Sequence, residues 1–348
     1  MLKRISETDL QHILNKTKDI WEPVRNKNIF VTGGTGFFGK WLLESFIYIN
    51  KLLQLDATIT VLTRNPENFL NDFPFYRNET SVKFIKGDIL TFEFPADSFQ
   101  LIIHAATEAD AALNQMQPLL MLDTITAGTR RILDLAKQNP VESFLFTSSG
   151  AVYGKQPSTV THVAEKDGYS VDINNPNSAY AEGKRLAELY CSIYHAHYKL
   201  SVKIARCFAF VGPYLPLDKH FAIGNFISNA LKGEDIIIKG DGTPYRSYLY
   251  AADLAVFLWK ILLQGQNNTP YNVGSNEDYN LKTIAETVAE LTPGISVKVL
   301  TEKDPLKPVE RYVPDISFIQ KNLGAQVAFG LIDSIKKTKH FYSADEIV

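Results

Sequence analysis

Two side chains one helical turn apart give the first chemical signal. In Tyr180-Ala181-Glu182-Gly183-Lys184, a helical backbone puts Tyr180 and Lys184 on one face. A lysine ammonium beside a phenol favours the phenolate. The pair is therefore expected to lower the Tyr180 pKa from its usual value of about 10 and make the phenol a general base at neutral pH. Upstream, Thr147-Ser148-Ser149-Gly150-Ala151-Val152-Tyr153 closes an apolar run. A hydroxyl at that tip, Ser149, can hydrogen-bond the same substrate oxygen. The Tyr-x-x-x-Lys spacing alone also describes an ordinary surface pair on a helix, so its meaning depends on what precedes it.

What precedes it is a glycine loop. Asn28 to Thr32 reads as a strand and runs into Gly33-Gly34-Thr35-Gly36-Phe37-Phe38-Gly39, then a helix. The spacing of Gly33, Gly36 and Gly39 is G-x-x-G-x-x-G. The first glycine permits a sharp turn, the second lets a pyrophosphate approach the backbone, and the third lets helix and strand pack closely. The helix N-terminus then offers unpaired N–H groups and the positive end of its dipole to phosphates. Between a strand and a helix this is the context of a dinucleotide site. The second strand ends in Leu62-Thr63-Arg64 rather than in an acid. Arg64 can bind a 2′-phosphate, stack on adenine or simply be solvated, which leaves NAD and NADP both open. Asp88, after the third strand, can meet the adenine amino group or serve as a turn aspartate.

The elements that position these residues alternate. Strands are expected over NIFVTGG from Asn28, TITVLT from Thr58, SVKFIKGDI from Ser81, FQLIIHAA from Phe99 and SFLFTSS from Ser143. Helices are expected from Phe38 to Leu55 and from Pro118 to Lys137. This pattern calls for an α/β fold, a Rossmann-type doubly wound parallel sheet with ligands beyond the carboxyl ends of its strands. After about Gly212 loops lengthen, and short strands such as DIIIKG alternate with helices such as Ala252 to Leu263. The organisation expected is a helical extension over residues 1–26, a dinucleotide-binding domain over 27–211 carrying the catalytic residues, and a smaller mixed α/β substrate lobe over 212–348, with some segments crossing back. In the extension, Leu10, Ile13, Leu14, Ile20 and Trp21 fit a short amphipathic helix docked on the domain.

Composition excludes several classes. The 348 residues are 45% hydrophobic, enough for a large core. Lys+Arg is 36 against Asp+Glu 38, a formal net charge of -2, which argues against a broad nucleic-acid or anionic-membrane surface. No run approaches the roughly 20 apolar residues of a membrane span, and the N-terminus lacks a signal-peptide core. Cys191 and Cys207 show no metal-ligand spacing and read as buried free thiols, consistent with a reducing cytoplasm.

Taken with these motifs, the chain resembles the extended short-chain dehydrogenase/reductase family, specifically its nucleotide-sugar epimerases and dehydratases, from about Asn28 to Thr338. The small lobe adds Gly240-Asp241-Gly242 with Arg246-Ser247-Tyr248-Leu249-Tyr250 and Asp253. It also adds Tyr271-Asn272-Val273-Gly274, Arg311-Tyr312-Val313-Pro314-Asp315, and Arg206-Cys207-Phe208 with Gly212-Pro213. The resemblance implies a tightly bound NAD or NADP, a nucleotide-diphosphate sugar as substrate and a homodimer. Ser149 and Tyr180 would hold the reacting C4 oxygen, with Tyr180 as base and Lys184 binding the nicotinamide ribose. Further cofactor contacts would fall on Thr35, Phe37, Phe38, Ile89, Ala105, Ala106 and Thr107. Substrate contacts would fall on Thr107 and Gly150, on Arg246 and Arg311 at the diphosphate, on Asn225, and on Ile236 to Ile238 beside the base. The dimer would pack the Tyr180 helix and the 118–137 helix against their copies. Leu186, Leu189, Tyr190 and Ile193 would serve that face or the core.

Departures from the family pattern choose the reaction. Its 4,6-dehydratases carry acids directly after the strand-end hydroxyl, and its hexuronate decarboxylases usually carry one. Here Gly150 and Ala151 stand there and cannot transfer a proton, unless Glu108 or Asp110 enters the pocket. An epimerase needs no such acid, so the leading expectation is epimerisation through a 4-keto intermediate with a recycled cofactor. A 4,6-dehydratase, a 4-keto-sugar reductase and a non-catalytic dinucleotide-binding protein are the alternatives. Ala209 replaces a family asparagine, Ile125 stands in place of another, and Gly183 interrupts the catalytic helix, pointing to close approach by a neighbour.

Overall fold

β-Branched and aromatic runs form the strands, and apolar-periodic segments form the helices that cover them. The computed structural model describes residues 3–107, 111–218 and 221–343. The chain opens with α1 (Glu7–Thr17), then β1 (Asn28–Thr32), α2 (Phe37–Leu53), β2 (Thr58–Thr63), α3 (Pro66–Asp72), β3 (Val82–Lys86) and β4 (Leu101–His104). It continues with α4 (Ala111–Met116), α5 (Pro118–Lys137), β5 (Ser143–Ser149), α6 (Ala179–Tyr198), β6 (Val202–Cys207) and β7 (Phe210–Val211). Then come α7 (Ala222–Leu231), β8 (Ile236–Ile238), β9 (Tyr245–Arg246), β10 (Leu249–Tyr250), α8 (Ala251–Gln264), β11 (Pro270–Val273) and β12 (Tyr279–Asn280). The last elements are α9 (Leu281–Glu290), β13 (Val297–Val299), β14 (Arg311–Tyr312), α10 (Ser317–Leu323) and α11 (Leu331–Ser343).

Seven strands form one parallel sheet in the order β11-β6-β5-β4-β1-β2-β3. β1 is flanked by β2 on one side and β4 on the other, so the winding direction reverses there. Crevices at such a switch point, beyond the carboxyl ends, are where ligands bind in these folds. The central strands are buried on both faces, as β4 and β5 show along their whole length. α5 and α6 cover one face, and α2 and α8 lie in the core on the other. β11 lies far along the chain yet closes the sheet edge against β6, registering Pro270 with Ile204 and Val273 with Cys207. Small sheets carry the remaining strands, β12-β9-β14, β13-β8 and β10-β7.

α1 is capped by Ser6, whose side chain accepts from the Asp9 N–H. It buries Leu10, Ile13 and Leu14 against the rest of the fold. Buried Asp9 accepts from the Tyr250 hydroxyl at 2.9 Å and from Lys337 at 2.8 Å. His12 reaches buried Asp253 at 2.9 Å. The extension is thus tied by polar contacts to α8 and α11, which fixes its orientation as well as its burial.

Candidate active site

The phosphate cradle is built almost wholly from backbone. Gly33 has φ +74°, and a Cβ there would stand 2.4 Å from the Ala105 carbonyl oxygen, so only glycine serves. A Cβ on Gly39 would come within 2.3 Å of the Gly33 oxygen and the Gly34 carbonyl, which is the close helix-strand packing expected. Gly36 differs: its Cβ would meet only the Gly33 oxygen, at 3.3 Å. The residue is exposed and caps α2 without any side-chain hydrogen bond to the helix N–H groups. An open approach and unpaired N–H donors at a helix N-terminus fit a pyrophosphate. Gly34 lies outside the sequence expectation, yet a Cβ on it would stand 2.6 Å from Val61 Cγ1 of β2. Thr35 is half-buried at the mouth. Phe37 and Phe38 pack inward, Phe38 edge-on to Phe210 at 5.0 Å.

The rim continues along the other strand ends. Arg64 is exposed just past β2. Asp88 lies past the end of β3 and is exposed, its carboxylate accepting the Leu90 N–H at 2.9 Å, so the turn role is realised. Ile89 packs on Gly128 of α5, where a Cβ would stand 3.1 Å from it. Ala106 donates its N–H to Thr32 Oγ1 at 3.2 Å. Thr107 accepts from Lys184 at 3.1 Å. His104 is buried between Thr32 Oγ1 at 2.7 Å and Thr129 Oγ1 at 3.0 Å. Burial, then the Lys184 charge, depress its pKa to about 3, so it remains neutral.

The catalytic corner is built from side chains. β5 brings Ser149 to the strand tip, where its hydroxyl accepts the Ala151 N–H at 3.1 Å. α6 brings Tyr180 and Lys184 one turn apart. The Tyr180 N–H is met by Asn114 of α4 at 3.1 Å. Lys184 is nearly fully buried, donating to the Thr147 carbonyl at 2.8 Å. Its ammonium stands 5.9 Å from the Tyr180 ring centroid.

This geometry corrects one expectation. Tyr180 as a residue is half-buried, but its hydroxyl lies deep among protein atoms, and that burial raises the phenol to about 12. A hydrogen bond with Ser149 pulls the other way and does not win. Lys184 is too distant and too committed to Thr147 and Thr107 to reverse the sign. Burial also lowers the lysine itself to about 8. In this state Tyr180 is therefore a neutral phenol, not a phenolate.

Two departures in the sequence explain one another. A Cβ on Gly183 would stand 3.2 Å from Ile125 Cδ1 and 3.3 Å from Leu122. Ile125 of α5 thus fills the notch that Gly183 leaves in α6, drawing the two helices together. A third position went unrecognised. The Tyr312 ring packs against Phe208 with centroids 4.8 Å apart and planes tilted by 39°, and its hydroxyl would stand 2.7 Å from a Cβ on Gly150. Burial raises this phenol, and again Ser149 opposes it by hydrogen bonding.

The expected substrate residues divide. In the parallel pair of β9 and β14, Arg246 registers with Tyr312 and Arg311 with Tyr245. Paired residues share a face and neighbours alternate, so Arg246 lies on the Tyr312 side and Arg311 on the other. Arg311 is held by Asp278 at 2.6 Å and stacks over the Tyr245 ring at 4.1 Å. Asn225 is exposed on α7. Ile236 and Ile238 are buried while Ile237 between them is half-exposed. Arg206 is a structural hub, bridging to Glu188 at 2.8 Å and stacking on Tyr153. Cys191 and Cys207 are buried free thiols. Leu186, Leu189 and Ile193 are exposed along α6, whereas Tyr190 packs partly on the core. Glu108 and Asp110 lie outside the described residues.

Residues 29–274, which hold the glycine cradle at the switch point and the serine, tyrosine and lysine beside it, match a known family model. The chain belongs to the NAD dependent epimerase/dehydratase family. A curated relative, UDP-glucuronic acid decarboxylase 6 of Arabidopsis thaliana, is 31% identical over 307 residues, covering 86% of this chain and 84% of its own. Among solved structures, an epimerase from the methanogen Methanothermobacter thermautotrophicus superposes with a TM-score of 0.80 at 22% identity. The alignment spans 96% of this chain and 97% of that one. UDP-glucuronic acid 4-epimerase from Bacillus cereus, solved with UDP-glucuronic acid and NAD, gives 0.76 at 20% identity over 90% and 98%. At such identities the structures establish the fold. The family establishes an NAD-dependent enzyme of the nucleotide-sugar epimerase/dehydratase type. Among the described residues no helix is long and apolar enough to cross a membrane.

Proposed function

We propose that this enzyme epimerises a nucleotide-diphosphate sugar at C4, through a 4-keto intermediate and without net consumption of cofactor. The observation that carries this reading is the wall beside Ser149. Gly150 and Ala151 follow it, and the Tyr312 hydroxyl and Phe208 ring occupy the room of a Gly150 side chain at 2.7 and 2.8 Å. Among the described residues, the side chains acting most strongly on the two phenols are Ser149, Tyr180, Cys207 and Arg246. None is a carboxylate able to protonate a departing C6 hydroxyl.

Ser149 and Tyr180 hold the sugar's C4 oxygen between them. Gly33, Gly36, Gly39 and the rim at Ala105, Ala106 and Thr107 would hold a nicotinamide dinucleotide, which would supply hydride acceptance and donation and, oxidised, a positive charge that favours the phenolate. With the cofactor bound, Tyr180 would act as the phenolate, taking the C4 hydroxyl proton to become the phenol and giving the same proton back to that oxygen when the keto group is reduced again. Lys184, anchored on Thr147 and Thr107, contributes its ammonium to stabilising the phenolate from which the proton transfer starts. Arg246 faces the site and grips the diphosphate, while Arg311 joins it only by leaving Asp278. Exposed Leu186, Leu189 and Ile193 on α6, with Leu119 and Leu120 on α5, form the face for a second copy.

The curated relatives favour a second reading, decarboxylation of a nucleotide hexuronate. One experiment separates the two. The purified protein is incubated, with no added cofactor, with UDP-glucose, UDP-glucuronic acid, UDP-N-acetylglucosamine and their dTDP, GDP and CDP counterparts, and products are followed by NMR. A C4 epimer of one of these supports the proposal. Carbon dioxide and a pentose nucleotide establish decarboxylation. Product that needs stoichiometric reduced cofactor marks a reductase.

A further inference from the structure

α6 carries Tyr180 in its first turn, where a helix cannot satisfy its own N–H groups and is prone to fray. The residue that ordinarily caps such an end is already spent. Ser178 stands at the N-cap but accepts no hydrogen bond from the helix, and its hydroxyl donates to the Asp172 carbonyl at 2.6 Å. Its backbone is helical, with φ -73° and ψ -8°, not the extended form of a capping serine. In the 3₁₀ turn Pro176–Ser178, the Asn175 side chain accepts from the Asn177 N–H at 3.0 Å, and the Ala179 N–H bonds the Pro176 carbonyl. The Tyr180 N–H is the next donor in line, and its partner comes from another element. Asn114 Oδ1 of α4 accepts it at 3.1 Å, while Asn114 Nδ2 donates to the Asn177 carbonyl at 2.7 Å. One planar carboxamide thus bonds a donor and an acceptor of the same turn, which fixes where that turn lies against α4.

The place of Asn114 in the chain gives this clamp a purpose. It follows Thr107 by a short stretch, and Thr107 Oγ1 accepts from Lys184 at 3.1 Å. The chain after β4 therefore meets both members of the Tyr180–Lys184 pair, the lysine through its ammonium and the tyrosine through its backbone. One turn into α6, Leu122 and Ile125 of α5 close on the notch at Gly183. The helix is seated by packing there and by Asn114 at its first turn. We propose that Asn114 is a positioning residue for Tyr180: as a cap supplied by α4, its carboxamide holds the start of α6 so that the phenol reaches the sugar oxygen beside Ser149. This rests on the role given to Tyr180 above. The bonds of Asn114 go to backbone, so it acts on the geometry of the reacting group, where a shift of about 1 Å can cost about 10²-fold in rate.

Two measurements test it. In the first, Asn114→Ala and Asn114→Asp are compared with wild type on whichever nucleotide sugar of the panel the wild type converts. Asn114→Ala should lower kcat about tenfold and leave KM within about twofold and the dinucleotide content unchanged. Asn114→Asp keeps an acceptor for the Tyr180 N–H, and should hold kcat within about threefold of wild type at the plateau of its pH profile. An unchanged kcat in Asn114→Ala, an equal fall in both variants, or a fall that follows lost dinucleotide overturns the proposal. In the second, amide hydrogen exchange at Tyr180 is read in the three proteins. Asn114→Ala should speed it about tenfold, the net worth of one hydrogen bond, and Asn114→Asp should not. Equal exchange in wild type and Asn114→Ala overturns the clamp without reference to any substrate. A wild type inert on the whole panel sinks the functional reading itself, and the purpose given to Asn114 with it, while the exchange result still decides the clamp.

Discussion

The phosphate cradle and the catalytic corner lie side by side but are made of different materials. The cradle is backbone from one short stretch, Gly33 to Gly39, and its tolerances are set by peptide atoms that cannot rotate away. The corner is side chains from β5, α6, β6 and β14, brought together from stretches far apart in sequence. The difference teaches where each is vulnerable. Substitutions in the cradle act sterically and at once. Substitutions in the corner act on proton positions and charge, and leave the fold standing.

The sharpest way to break that contrast is inside the cradle itself. Gly39→Ala would force a Cβ to within 2.3 Å of backbone. It should destabilise by about 3 kcal/mol or more and abolish cofactor retention, since neither neighbour has a rotamer to yield. Gly36→Ala, with 3.3 Å available, should fold normally in a chemical-denaturation series yet release the dinucleotide. Equal losses of stability in the two variants would mean that the cradle is not graded as described.

Substrate gripping comes next. Arg246→Ala should raise KM by about 10- to 100-fold with little change in kcat, the range for hydrogen bonds to a charged group. Arg311→Ala should raise it less, because in this structure that guanidinium is already engaged by Asp278. The reverse order in steady-state kinetics would show that β14 turns Arg311 inward when substrate binds.

The smallest step concerns His104, which links the two regions by bonding Thr32 while feeling the Lys184 charge. Folded, it binds a proton only near pH 3, whereas unfolded histidine does so near pH 6.5. Between those values the unfolded chain holds more protons, so stability rises with pH and is lost as pH falls, by about 1.4 kcal/mol per pH unit from this group. His104→Gln should flatten the pH dependence of the urea midpoint in that window. An unaltered slope would place the acid sensitivity elsewhere.

Much of this was legible in the sequence because it is local. The bounds of β2, β5 and α5 follow from runs whose period and end residues are self-contained, and the glycine spacing announces the cradle. The corner was legible only in part. Spacing shows that Tyr180 and Lys184 share a face, but not that the ammonium lies 5.9 Å from the Tyr180 ring centroid and is spent on the Thr147 carbonyl, nor how deeply the phenol is buried, so the sign of the Tyr180 shift was missed. Tyr312 was hidden inside a stretch noticed for its arginine. The signal that pointed to it was Gly150, since a missing side chain in a buried corner requires a filler from elsewhere. Gly183 and Ile125 teach the same lesson, two departures that make sense only once α5 and α6 touch.

The central claim is that Tyr180, buried beside Ser149, exchanges the proton of a sugar hydroxyl while the cradle alone retains the cofactor. The direct measurement is Tyr180→Phe, assayed for turnover of the converted nucleotide sugar and for dinucleotide released on denaturation. The account predicts a fall in turnover of about 10²- to 10⁴-fold with wild-type dinucleotide content. Turnover within a few-fold of wild type would contradict it.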